Sequence, residues 1–174
     1  MSALSSSTMT SALNQILVPC AIAAAALLLV PLAASAGQDE ADDVARDIYR
    51  QVERACPAHG GGQPYNLATI ADNYFVPELR DLLGEAYANN AVHFDVLIDA
   101  QDCSIRDVDI DVDGDEDAED SQHVVARAHF KNFGERRVVD LLMVSDGREW
   151  KVVDVAYRHR DWSLRRDLNV RYSK

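Results

Sequence analysis

The chain reads as an α+β protein with helices first and an antiparallel sheet after them. Three observations predict this. Apolar residues ahead of Asn90 recur at helical spacing, and those after Ile105 alternate with polar residues at a period of two. Asp146-Gly147 then stands between two apolar runs, a strong two-residue hairpin signal. Helices followed by consecutive hairpins imply that the helices cover one face of the sheet.

Residues 38–56 are predicted as the first helix, with Val44, Ile48 and Val52 on one face and acidic residues in the first turns, where the helix dipole favours them. Cys56-Pro57 ends it, and Gly60-Gly61-Gly62 through Pro64 form a loop. Residues 67–74 and 77–89 form two shorter helices. Pro77 suits a first helical position, and Leu79, Leu82, Leu83, Ala86 and Tyr87 supply the apolar stripe. In the first strand Val108, Ile110 and Val112 alternate with Asp107, Asp109, Asp111 and Asp113. In the second, Val124, Ala126, Ala128 and Phe130 alternate with His123, Arg127, His129 and Lys131. Residues 138–145 and 149–157 are the next two strands, joined through Asp146-Gly147. Asp161 is expected to cap a last amphipathic segment carrying Trp162, Leu164 and Leu168.

Charge divides the chain sharply. Residues 1–36 hold no Asp, Glu, Lys, Arg or His, so all 29 acidic and 17 basic side chains and the formal charge of −12 belong to residues 37–174. Within the leader an apolar run starts at Ile16 and ends in Ala34-Ser35-Ala36, the small residues that signal peptidase reads. Residues 1–36 are therefore expected to be a signal peptide, and residues 37–174 a single α+β domain in the periplasm or outside the cell. The alternative is an uncleaved anchor holding the domain at the inner membrane, facing the periplasm. The run from Ile16 is just long enough to span, but Pro31 interrupts it and no basic residue follows as a stop. Cys20 does not fit a lipid acceptor, because the apolar core continues after it. An acidic domain argues against nucleic acid and anionic lipid, leaving an uncleaved leader as the sole membrane contact. Cys56 and Cys103 are the two cysteines beyond the leader, and an oxidising compartment makes them a candidate disulfide; two buried thiols are the alternative.

Asp109-x-Asp111-x-Asp113-Gly114-Asp115 opens like a calcium loop, in which oxygens at alternate positions converge on a hard cation. The match then fails, since the twelfth position is Asp120 rather than a bidentate Glu and no helices flank it. On a strand, same-face carboxylates form a ladder about 6.6–7 Å in step, better suited to cross-strand pairing with Arg127, Lys131 and the two histidines. No other cofactor is implied. His59, His93, His123, His129 and His159 have no zinc spacing, and nucleophile elbows, Walker loops and dinucleotide glycine patterns are absent from the sequence. Asp99-Ala100-Gln101-Asp102 places two carboxylates and an amide after an apolar run; enclosed together they would share a proton and serve acid–base chemistry. The alternative is a helix cap or a loop anchor.

With Phe75-x-Pro77-Glu78-Leu79, the Asp99-Ala100-Gln101-Asp102 run and the ending Trp150-Lys151-Val152-Val153-Asp154-Val155, the chain resembles the bacterial envelope proteins of domain of unknown function 3828, in the nuclear-transport-factor-2-like superfamily. The resemblance covers residues 41–168. It implies a strongly curved antiparallel sheet wrapped around N-terminal helices, a cone with a pocket, and an exported or lipid-anchored protein. The sequence departs from that pattern in lacking a lipobox and in carrying the acidic stretch of residues 113–120. Carried over position by position, Tyr74, Asp99, Gln101, Asp102, Trp150 and Asp154 are expected near the interior of the cone. Two functions follow as expectations. One is a non-catalytic module that binds a small ligand or another envelope protein. The other is a cofactor-free isomerase or hydrolase with Asp99 or Asp102 as general base and Tyr74 as proton donor.

Overall fold

The computed structural model describes residues 31–56, 66–114 and 122–172. The charge-free leader up to residue 30, the glycine loop with His59, and Asp115 to Asp120 lie outside the described residues. Among the described residues four α-helices and five strands run in the order α1 (Pro31–Ala55), α2 (Leu67–Tyr74), α3 (Pro77–Ala88), β1 (Ile105–Gly114), β2 (His123–Asn132), β3 (Glu135–Ser145), β4 (Trp150–Tyr157), β5 (Trp162–Ser163) and α4 (Leu164–Tyr172). The strands pair antiparallel in sequence order, so the sheet is open and every connection is to its neighbour.

Helix α1 starts about two turns earlier than its acidic stripe suggests, and it runs through Ala36-Gly37 without a break. Its buried face is Ala41, Ala45, Ile48, Tyr49 and Val52, with Val44 packed at the edge. Two alanines in that stripe let the helix lie close to the inner face of β1 and β2, where Tyr49 meets Phe130 with ring centroids 5.7 Å apart. Asn66 caps α2 by accepting from the amides of Ala68 and Thr69, and Pro77 opens α3 as expected. Among the described residues no helix is long and apolar enough to cross a membrane.

The inner face of the sheet is formed by Val124, Ala126, Ala128 and Phe130 on β2 and by Val139, Leu141 and Met143 on β3, all buried. Strand β1 carries a bulge. Arg106 pairs with Lys131 but Asp109 pairs with His129, and Asp107 takes a left-handed φ of 55°. The extra residue lets Ile105 and Ile110, five positions apart, both face the core. A second irregularity in β3/β4 pairing, between Leu142 and Met143, bends the far side of the sheet.

Two turns differ from expectation. Ser145 pairs with Trp150, so Asp146-Gly147 belongs to a four-residue loop rather than a two-residue one. The Asp146 carboxylate accepts from the amides of Arg148 and Glu149, which holds the wider loop and keeps its own pKa below the usual carboxylate value. The tight two-residue turn is Phe133-Gly134, between the paired Asn132 and Glu135, with φ of 50° and 85°. Asp161 does not cap α4 either. Ser163 does so: its Oγ accepts from the amide of Arg166, and its own amide donates to Asp167.

Candidate functional site

The expected disulfide is present, joining Cys56 at the end of α1 to Cys103 before β1, with Cα atoms 5.3 Å apart. The Ile105 amide donates to the Cys56 carbonyl at 2.9 Å, so the bond ties α1 to the first strand exactly where the core begins. Closing a loop of 47 residues is worth about 4 kcal/mol in the chain-entropy model.

The six residues expected inside a cone are dispersed. The Tyr74 hydroxyl, on α2, donates to Asp47 and accepts from Gln51 on α1, and the carboxylate partner raises its pKa. Gln101 and Asp102 are exposed on the loop before β1, and the Asp102 carbonyl accepts from Asn132 Nδ2. Trp150 is buried against Gly37, where a Cβ would stand 3.6 Å from the indole. Asp154, 8% exposed, accepts from Ser163 Oγ and from the amides of Arg165 and Val155. It anchors the first turn of α4, and burial pushes its pKa above the usual carboxylate value.

Asp99 alone of the acid–base candidates is enclosed, its side chain 4% exposed and its φ of 52° left-handed. It does not face Asp102 or Tyr74. It pairs instead with His159 Nε2 at 3.3 Å and with the Arg160 guanidinium. Arg160 in turn lies over the rings of Phe94 and Tyr157, 5.4 and 5.1 Å from their centroids. The segment leading to Asp99 is held by three phenols. Tyr87, Tyr157 and Tyr49 donate to the carbonyls of Phe94, Val96 and Leu97. Burial raises all three phenol pKa values, so these groups stay neutral donors.

The acidic strand behaves as a ladder. Asp107 meets Lys131 at 2.7 Å, Asp111 meets His129 at 3.5 Å, and Asp113 meets Arg127 at 3.5 Å. Arg46 adds charge from α1 through the field of Asp109 and Asp111, although its main partner is Asp42. Asp109, Asp111 and Asp113 are thus strung along β1 at alternate positions, and no cluster of three or more metal-ligating side chains occurs among the described residues. Asp115, the fourth calcium candidate, lies outside them.

What sequence reasoning missed is on the outer face of β2 and β3. Asp140, 3% exposed, accepts from Arg127 Nε at 2.9 Å and from Arg158 Nε at 2.7 Å. Around this buried carboxylate a cavity of about 410 Å³ is lined by Arg127, Arg136, Arg137, Val138, Arg158 and His159. A smaller one of about 230 Å³ adjoins it, sharing Arg136, Arg137 and Val138 and adding Asp107, His129, Phe130 and Lys131. The turn that follows β4, Arg158-His159-Arg160, brings its side chains to the same edge of the sheet. His159 therefore stands between the cavity and buried Asp99. A signal was present in the sequence: Arg136-Arg137 and Arg158-His159-Arg160 are the two basic clusters at strand ends. Only the β2–β3–β4 register shows that they meet. No family model, curated protein or solved structure matches this chain.

Proposed function

We propose that the protein is an exported, non-catalytic binding module whose recognition surface is the cationic outer face of β2 and β3. The single observation that carries this reading is the cavity lined by four arginines, two of them fixed by one buried carboxylate, on a chain of formal charge −12. Asp140 and Glu135 pair with three of these arginines, and an anionic partner would offset the charge of Arg136 and the surplus around it. The uncharged leader and the Cys56–Cys103 bond support export to an oxidising compartment, the periplasm or the exterior. An uncleaved leader would tether the same surface at the inner membrane, facing the periplasm. The resemblance to the nuclear-transport-factor-2-like envelope proteins is compatible with helices packed on one face of an antiparallel sheet, and we read the domain as a member of that superfamily. An enzymatic role resting on Asp99, Asp102 and Tyr74 has less support, because the three have separate partners.

The test is a titration of the isotopically labelled protein with polyglutamate, following backbone amide shifts. Shifts concentrated on residues 127–138 and 158–160, weakening as salt is raised, are expected. Shifts that are absent, or spread over the helices instead, would remove this reading.

A further inference from the structure

The guanidiniums of the cavity are unequally engaged. One buried carboxylate, Asp140, takes the Nε of both Arg127 and Arg158 and so fixes the position of each. Arg136 has no ion pair or hydrogen bond among the described residues. Arg137 reaches Glu135 through Nη2 at 2.7 Å, but its Nε is buried with no partner among the described residues. A buried guanidinium N–H left unmade is expensive, since the group loses water without gaining an acceptor. Arg136 therefore offers the cavity donor capacity that the protein's own acceptors do not use, whereas the Arg137 Nε is closed off from it.

The geometry points to the class of ligand. Resting on the reading above, we propose that the cavity binds a small phosphomonoester, with the phosphate on Arg136 beside Arg127 and Arg158 and the organic body over Val138. A carboxylate has two oxygens, and each oxygen of Asp140 already takes one guanidinium. A phosphomonoester brings three terminal oxygens and a charge of about −1.5 to −2, which suits several guanidiniums converging on one space. Arginine forks match that planar, bidentate demand better than ammonium groups do. A volume of about 410 Å³ is far more than phosphate alone needs and lies in the range of small-molecule sites. Val138 and the aliphatic stems of the arginines give the remainder of the ligand an apolar wall.

The experiment titrates the full chain, disulfide intact, with glucose 6-phosphate, glucose and citrate, followed by amide shifts and calorimetry. Saturable binding of glucose 6-phosphate in the millimolar range or tighter, with no response to glucose, is expected. Arg136→Gln should weaken it about tenfold, the loss of one charge-assisted contact. Arg136 is exposed, so its variant keeps the fold. Citrate binding at the cavity as tightly as glucose 6-phosphate overturns the phosphate assignment while leaving the cationic face as a binding surface. Glucose 6-phosphate binding unweakened in Arg136→Gln also overturns it, since the phosphate then sits elsewhere. Silence toward glucose 6-phosphate alone sinks the ligand class; silence toward polyglutamate as well removes the binding surface itself.

Discussion

The inner and outer faces of the sheet both bury polar groups, but of different kinds. Beneath the inner face, Tyr49, Tyr87 and Tyr157 end on backbone carbonyls of the 94–97 segment. Phenols raised in pKa by burial remain uncharged, so each makes one hydrogen bond and needs nothing further. On the outer face the buried group is an ion. Asp140 is closed in by Arg127 and Arg158, and their remaining charge stands at the border with solvent. Neutral donors can finish a core, whereas charged ones must keep access to water or to a ligand. The inner face is built for stability, and the outer face retains capacity for binding.

The largest test of this contrast removes the tie at the rim of the inner face. Cys56→Ser with Cys103→Ser should lower unfolding stability by about 4 kcal/mol in chemical denaturation. It should leave anion binding at the outer face intact below the transition. A loss of binding in the folded variant would mean that the two faces are not independent. Next, Asp140→Ala removes the acceptor shared by Arg127 and Arg158. A cost of about 2–3 kcal/mol is expected, because two guanidiniums lose a buried carboxylate and one of them is itself mostly buried. An unchanged denaturation midpoint would show that the outer face holds no buried ion of consequence.

On the inner side, Tyr49→Phe keeps the ring against Phe130 and deletes only the bond to the Leu97 carbonyl. About 1–2 kcal/mol should be lost, read from the same denaturation curves. A neutral result would imply that water replaces the phenol.

The smallest effect concerns Asp154, the one buried carboxylate whose first partners are a hydroxyl and amides. Burial raises its pKa from the usual 3.8, so the folded protein holds that proton more tightly than the unfolded chain does. Ionised Asp154 therefore opposes folding, fully above the raised value and not at all below about 4. Asp154→Asn keeps acceptors for both amides and removes the charge. The thermal midpoint of the variant should gain on the parent as pH rises from about 4, then level off. A gap that narrows over that range would show that the hydrogen bonds outweigh burial.

Helices α2 and α3 and strand β2 were legible because each follows a single period: Leu79, Leu83 and Ala86 on one helix face, Val124, Ala126, Ala128 and Phe130 on one sheet face. The Asp ladder and its cations were legible for the same reason, since alternate positions on paired strands must face each other. The disulfide was expected from two cysteines in a chain read as exported, although nothing in the spacing decided that they meet. Turn chemistry was harder to read. Asp146-Gly147 has the composition of a tight hairpin, yet the Asp146 side chain satisfies two amides and widens the loop. Phe133-Gly134 makes the tight turn with an aromatic residue 65% exposed at a left-handed φ, which local preference disfavours.

By itself, then, the sequence determined an acidic domain behind an uncharged leader, helices ahead of an antiparallel sheet, and the polar and apolar sides of each strand. These follow from local periodicity and composition, which act over a few residues. Only the tertiary structure decided that Asp99 faces His159 and Arg160 rather than Asp102, and that arginines 127, 136, 137 and 158 surround one cavity. Those meetings depend on strand register and on a turn after β4 that returns to the sheet. Such contacts join positions tens of residues apart, and no short-range pattern in the chain encodes which of them will touch.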